Sequence, residues 1–150
     1  MVKISVHLAL LIESVRANGI DQEEMLHLLE KRDYSRFQEV LEGLSDWEEL
    51  GEFYHNDPST CKRAILEGYQ VKFLTKGGLK SFLKVKYHLE AGKDFEEAES
   101  ALHGIHLLSA DLETLRSALS INWTIVEEDF DEEKAVHVIR IEQTYKNQGV

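Results

Sequence analysis

Five lysines inside an otherwise acidic chain are the side chains best placed to hold a partner. Lys72, Lys76, Lys80, Lys84 and Lys86 lie in residues 62–87, a stretch with seven positive side chains and one negative, Glu67. Residues 1–61 sum to −8 and residues 88–150 to −9, so the stretch is a +6 island in a chain of net charge −11. If residues 79–91 are helical, Lys76, Lys80 and Lys84 recur every four residues and their ammonium groups form one stripe. Such a stripe can neutralise phosphates and release condensed counterions. It can dock an acidic protein surface, or it can compensate the acidic parts of its own chain, the usual fate of a charge run. Arginine, the usual reader of guanine, is nearly absent from it, and the global field repels phosphate, so nucleic acid is the less favoured ligand.

Other residues suggest chemistry more weakly. Phe130 stands in the middle of Glu127-Glu128-Asp129-Phe130-Asp131-Glu132-Glu133, where an aromatic on an acidic tip would anchor a partner or fold back onto a sheet. That acidic run lacks the glycine and ligand order of a calcium loop. Glu99, His103 and His106 are spaced i, i+4, i+7 and would share one helix face as zinc ligands, but Gly104 interrupts the helix. Cys61 precedes Lys62 and Arg63 near a helix start, which favours thiolate, yet Cys61, Ala64 and Ile65 read better as a core face. There is no phosphate-cradling glycine loop, nucleophile elbow or HExxH. No metal, no cofactor and no catalytic residue is therefore expected.

The elements that must position these residues follow from periodicity and caps. Residues 3–18 place Ile4, Leu8, Leu11, Ile12 and Val15 on one helical face. Asp21 with Glu24 has capping-box spacing and opens a helix over 21–31. Helices follow over 34–42 and, after Ser45 with Glu48, through Trp47, Leu50, Phe53 and Tyr54. Asp57-Pro58 caps a helix running to about Glu67. Residues 69–75 alternate as a strand. Residues 79–91 fit both a helix and a strand, and the helix is preferred because Leu79 and Lys80 favour it and Ala91-Gly92 looks like a helix end. Asp94 with Glu97 predicts a short helix ending at Gly104, and Ser109 caps another over 110–119. Residues 123–126 and 135–141 read as two strands joined by a solvated link over 127–134.

The expected fold is a mainly helical α+β domain with a small three-stranded antiparallel sheet, residues 69–75 lying beside the terminal hairpin. One domain spans 1–150, with a soft boundary near 56 between an all-helical part and an α+β part over 57–146. The element order over 58–142 resembles a winged helix-turn-helix, with one helix surplus and no distinctive recognition sequence. The resemblance would make the lysine stripe a nucleic-acid surface. One cysteine and no membrane-length apolar run point to the cytoplasm and to no membrane role. The expected function is non-enzymatic: a regulatory or adaptor domain whose partner is another protein or a second copy of itself, held by the lysine stripe or by Phe130. A small-molecule or metal-dependent enzyme is the remaining class.

Overall fold

The computed structural model describes residues 1–40 and 47–144. In chain order its elements are β1 (Val2–Ile4), α1 (Val6–Ala17), α2 (Gln22–Lys31), α3 (Ser35–Val40), α4 (Trp47–Asn56), α5 (Pro58–Glu67), β2 (Tyr69–Val71), α6 (Lys76–Tyr87), β3 (Glu96–Glu97), β4 (Ala101–Leu108), α7 (Ser109–Ala118), β5 (Trp123–Asp131) and β6 (Val136–Gln143). The fold is α+β, with a two-stranded parallel sheet and a four-stranded antiparallel sheet of order β3-β4-β6-β5.

Several helix starts follow their side-chain chemistry. The Asp21 carboxylate accepts from the Glu24 amide at 2.8 Å, and the Asp57 carboxylate from the Thr60 amide at 3.2 Å with Pro58 in the first helical turn. Thr75 accepts from the Gly78 amide at 2.9 Å, which starts α6 before the Gly-Gly pair instead of after it. Residues 79–91 are helical as far as Tyr87, where His88 closes the helix in the left-handed region at φ 59°. The Ser45 cap and Gly43 lie outside the described residues.

Four expectations are corrected. The first helix is preceded by a strand, because Ser5 caps α1 and leaves Val2–Ile4 extended against Tyr69–Val71. Ile4 is buried as expected, but from a strand. Second, the strand over 69–75 ends at Val71, leaves Phe73 exposed, and pairs in parallel with β1. It does not join the terminal hairpin, so the three-stranded sheet and the winged-helix order are not the ones found. Third, the helix predicted over 94–104 is a turn and a hairpin. Asp94 accepts from the Glu90 amide at 2.8 Å and closes the turn, and Glu96 and Glu97 pair with His103 and Leu102. Gly104, at φ 70°, sits within β4 where the register shifts. That irregularity places Leu102, Ile105 and Leu107 all inward and breaks the period-2 signal. Fourth, the supposed link over 127–134 is mostly strand: β5 runs to Asp131, whose carboxylate accepts from the Glu133 amide at 3.0 Å in the turn.

One contiguous core runs from Ile4 to Ile141. The inner faces of α1 and α6 meet in it, with Ile12, Val15, Leu79, Phe82 and Leu83 fully enclosed. The sheet is tied to this helical body through the carbonyl of Leu74, which accepts from Trp123 Nε1 at 2.8 Å and from Asn122 Nδ2 at 2.7 Å. One buried and one partly buried donor thus share one acceptor, and the loop after β2 is held against the start of β5.

Candidate functional site

Four of the five lysines are met by carboxylates of their own chain. Lys76 Nζ lies 3.1 Å from Glu97 Oε2 and donates to the carbonyls of Ala98 at 3.2 Å and Glu99 at 3.3 Å. Lys80 Nζ lies 2.9 Å from the other oxygen of Glu97. Lys84, the most exposed of the four, reaches Glu90 at 3.5 Å. The hydrogen bonds from Lys80 and then Lys76 hold the Glu97 carboxyl below its ordinary range. The stripe therefore fastens α6 to residues 90–99. The misread helix belongs to the same event: Glu97 serves two lysines in a strand instead of capping a helix. Lys72, in the loop after β2, is exposed and makes no ion pair among the described residues.

Lys86 points elsewhere. Its Nζ lies 3.0 Å from Glu13 Oε1, and Tyr69 donates to Glu13 Oε2 at 2.6 Å. Glu13 is 3% exposed and Lys86 17%. An isolated carboxylate so deep would be costly, and both its oxygens are satisfied. Burial, then the charge of Glu13 and its hydrogen bond, drive the Tyr69 hydroxyl far above its ordinary value, so it stays a donor. Beside this set Arg16 donates through Nη2 to the Ile65 carbonyl at 2.7 Å, while its Nε is enclosed without a partner among the described residues. These groups line a cleft of about 320 Å³ together with the apolar Leu66 and Ala118 and with Glu113 and Ser117 of α7. The sequence reading missed Glu13 and Arg16. They fall four and seven positions after the buried Ala9, so helical spacing alone carried the signal that α1 has charged groups on a buried face.

Phe130 packs against His137 with the rings tilted at 37° and their centroids 4.4 Å apart, and is 43% exposed. His137 Nε2 lies 2.8 Å from Ser109 Oγ on α7, and Glu127 joins His137 Nδ1 at 3.4 Å to Arg116 Nη2 at 2.6 Å. The Arg116 hydrogen bond holds the Glu127 carboxyl below its ordinary range. Phe130 is therefore folded back on the face that α7 covers.

The other face of the same sheet is different. Alternation and register place Leu108 beside Val136, His106 beside Val138, and Val126 beside Arg140, all on the side away from the buried Ile105, Ile139 and Ile141. Leu108 is 53% exposed, and the three valines are half-buried. Arg140 is spanned by Glu128 at 3.1 Å and Glu142 at 3.0 Å. A sheet with one solvated face ordinarily shows polar side chains there. This one shows four aliphatic residues rimmed by Asp129, Asp131, Glu132 and Glu133.

The i, i+4, i+7 face of Glu99, His103 and His106 does not exist, since these residues lie in a turn and a strand. No cluster of three potential metal-binding side chains occurs among the described residues. Cys61 is fully enclosed on α5, and burial, then the Asp57 carboxylate, pushes its thiol up to about 12. No helix among the described residues is long and apolar enough to cross a membrane.

Comparison with family models, curated proteins and solved structures finds no match to this chain.

Proposed function

We propose that the chain is a non-enzymatic regulatory or adaptor domain of the cytoplasm that works through protein contacts, and that its contact surface is the outer face of β4, β5 and β6. The observation that carries this reading is the aliphatic patch of Leu108, Val126, Val136 and Val138 on a face with an acidic rim. Burying aliphatic surface is the general driving force of association, about 25 cal/mol per Å². The rim selects the partner: an aliphatic surface ringed by lysine and arginine. A second copy of the chain fits poorly, because two acidic rims would face each other. Edge-to-edge pairing of β5 is also opposed, since its free edge carries Glu127, Glu128, Asp129 and Asp131 and an irregularity between Glu127 and Asp129.

Support also comes from the lysines. Lys76, Lys80, Lys84 and Lys86 are engaged with carboxylates, which leaves Lys72 as the one of the five with no ion pair among the described residues. A phosphate backbone would have to displace those carboxylates one by one, and the net charge of −11 opposes its approach.

The test uses a defined probe: a soluble peptide alternating valine and lysine, with the valine–glutamate peptide as control. Chemical-shift mapping should place the basic peptide on Leu108, Val126, Val136 and Val138. The Leu108→Lys/Val138→Lys double variant should lose it, and the acidic peptide should not bind. Concentration-dependent dimerisation that the double variant abolishes would replace the basic partner with a second copy. Duplex DNA binding at about 0.15 M salt that survives the double variant but not Lys72→Ala would overturn the reading in favour of nucleic acid.

A further inference from the structure

The cleft beside Glu13 has no part in the contact surface above, and its charges are unevenly committed. Glu13 is spent on Lys86 and Tyr69, and Glu67 on Arg63 at 3.2 Å. Of the side-chain cations that border the cleft, Arg16 is the one with no carboxylate partner among the described residues. Its guanidinium is fixed by one backbone acceptor, the Ile65 carbonyl, and meets no carboxylate among the described residues. A guanidinium carries five donors and stays charged, so one neutral acceptor leaves most of its capacity unused. The space it borders, about 320 Å³, falls at the small end of ligand sites. Leu66 and Ala118 add apolar wall, and Ser117 stands exposed at the rim.

We propose that this cleft binds a small monocarboxylate with an apolar body, its carboxylate on the Arg16 guanidinium and its body against Leu66 and Ala118. A space of about 320 Å³ suits a small molecule. Charge selects the monoanion: Lys86 is already paired with Glu13, and Glu67 and Glu113 also border the cleft, so a doubly charged phosphate would face two carboxylates with Arg16 as the one side-chain cation not paired among the described residues. A planar carboxylate also matches the guanidinium fork better than a neutral amide does. The buried Glu13–Lys86–Tyr69 set makes the wall rigid and fixes the charge next to Arg16, so the site is organised before the ligand arrives.

The experiment titrates the full chain with sodium benzoate, benzamide and inorganic phosphate while following backbone amide shifts. Benzoate should give saturable shifts at Gly68, Tyr69, Ser117 and Ala118 with a Kd of about 1 mM or tighter. Benzamide should give none, and phosphate should bind more weakly. Arg16→Gln should weaken benzoate by at least about tenfold, the loss expected for one charge-assisted contact. Because Arg16 also holds the Ile65 carbonyl, a second variant guards against misfolding. Ser117→Phe, at an exposed position of α7, should keep the fold and abolish binding by filling the cleft. Absence of saturable benzoate shifts, equal binding of benzamide, phosphate binding at least as tight as benzoate, or undiminished binding in Ser117→Phe would each overturn the proposal.

Discussion

Helix α6 and the β5–β6 hairpin carry opposite charge, and they use it in opposite ways. The positive charges of α6 face carboxylates of the same chain, so the most conspicuous feature of the sequence is turned inward. The negative charges at the hairpin turn are largely left to solvent, beside an aliphatic face on which Leu108 is exposed and the three valines are half-buried. A charge run read along a sequence reports only that the charges are near one another. Whether they are available depends on what the fold brings opposite them.

The largest test of this contrast lies beneath α6. Phe82 is fully enclosed, with Tyr69 and Tyr87 edge-on at 6.4 and 6.3 Å. Phe82→Ala should cost about 3–5 kcal/mol in urea unfolding. A loss under about 1 kcal/mol would mean that α6 is a surface appendage, free to offer its lysines.

Lys86→Met comes next. It leaves Glu13 buried without its cation and should cost about 2–4 kcal/mol, most of it recovered when Glu13→Gln is added. Failure of the second change to rescue the first would show that the pair is not the energetic unit the 3.0 Å contact implies.

The triple variant Lys76→Ala/Lys80→Ala/Lys84→Ala should have a smaller effect, visible chiefly in its pH dependence. Lys80 and Lys76 lower the folded-state value of Glu97, so the stabilisation is present above the unfolded carboxyl value and is lost as pH falls through the folded one. Stability curves of wild type and triple variant should therefore differ at neutral pH and converge in acid. Parallel curves down to strong acid would remove the clamp from the account.

At the hairpin, Leu108→Lys/Val138→Lys should change stability by less than about 0.5 kcal/mol per site while removing the peptide contact. A large loss would show that the outer face is already covered. The smallest expected signal is from Cys61, which should label slowly in the native state. Its raised value adds stability below the unfolded value near 9.0, lost as pH rises toward about 12, so native labelling should accelerate only in that alkaline window.

Much of the helical part was legible because its signals are local. Asp21, Asp57 and Pro58 act within one turn, and the apolar faces of α1, α2 and α5 repeat within a few residues. Residues 94–108 were not legible, for two reasons. The capping-box spacing of Asp94 and Glu97 is satisfied instead by the Glu90 amide and by two lysines of α6, partners that a local reading does not weigh. The irregularity at Gly104 then removes the alternation that would have announced β4. The lysine stripe was visible as charge, but its occupation by Glu97 and Glu90, and that of Lys86 by Glu13, is tertiary. The aliphatic outer face was concealed because Leu108, Val126, Val136 and Val138 come from three strands and meet only through register.

The parallel pairing of Val2–Ile4 with Tyr69–Val71 also bears on how the chain acquires its shape. The β5–β6 hairpin closes a short loop between Asp131 and Val136, whereas β1 must wait for a segment beyond five helices. Loop-closure entropy alone makes the distant pairing costlier by about 2 kcal/mol. On loop closure alone, the hairpin forms more readily than the β1–β2 ladder. On a ribosome the first strand emerges long before its partner, and it stays unpaired until α1–α5 have been synthesised.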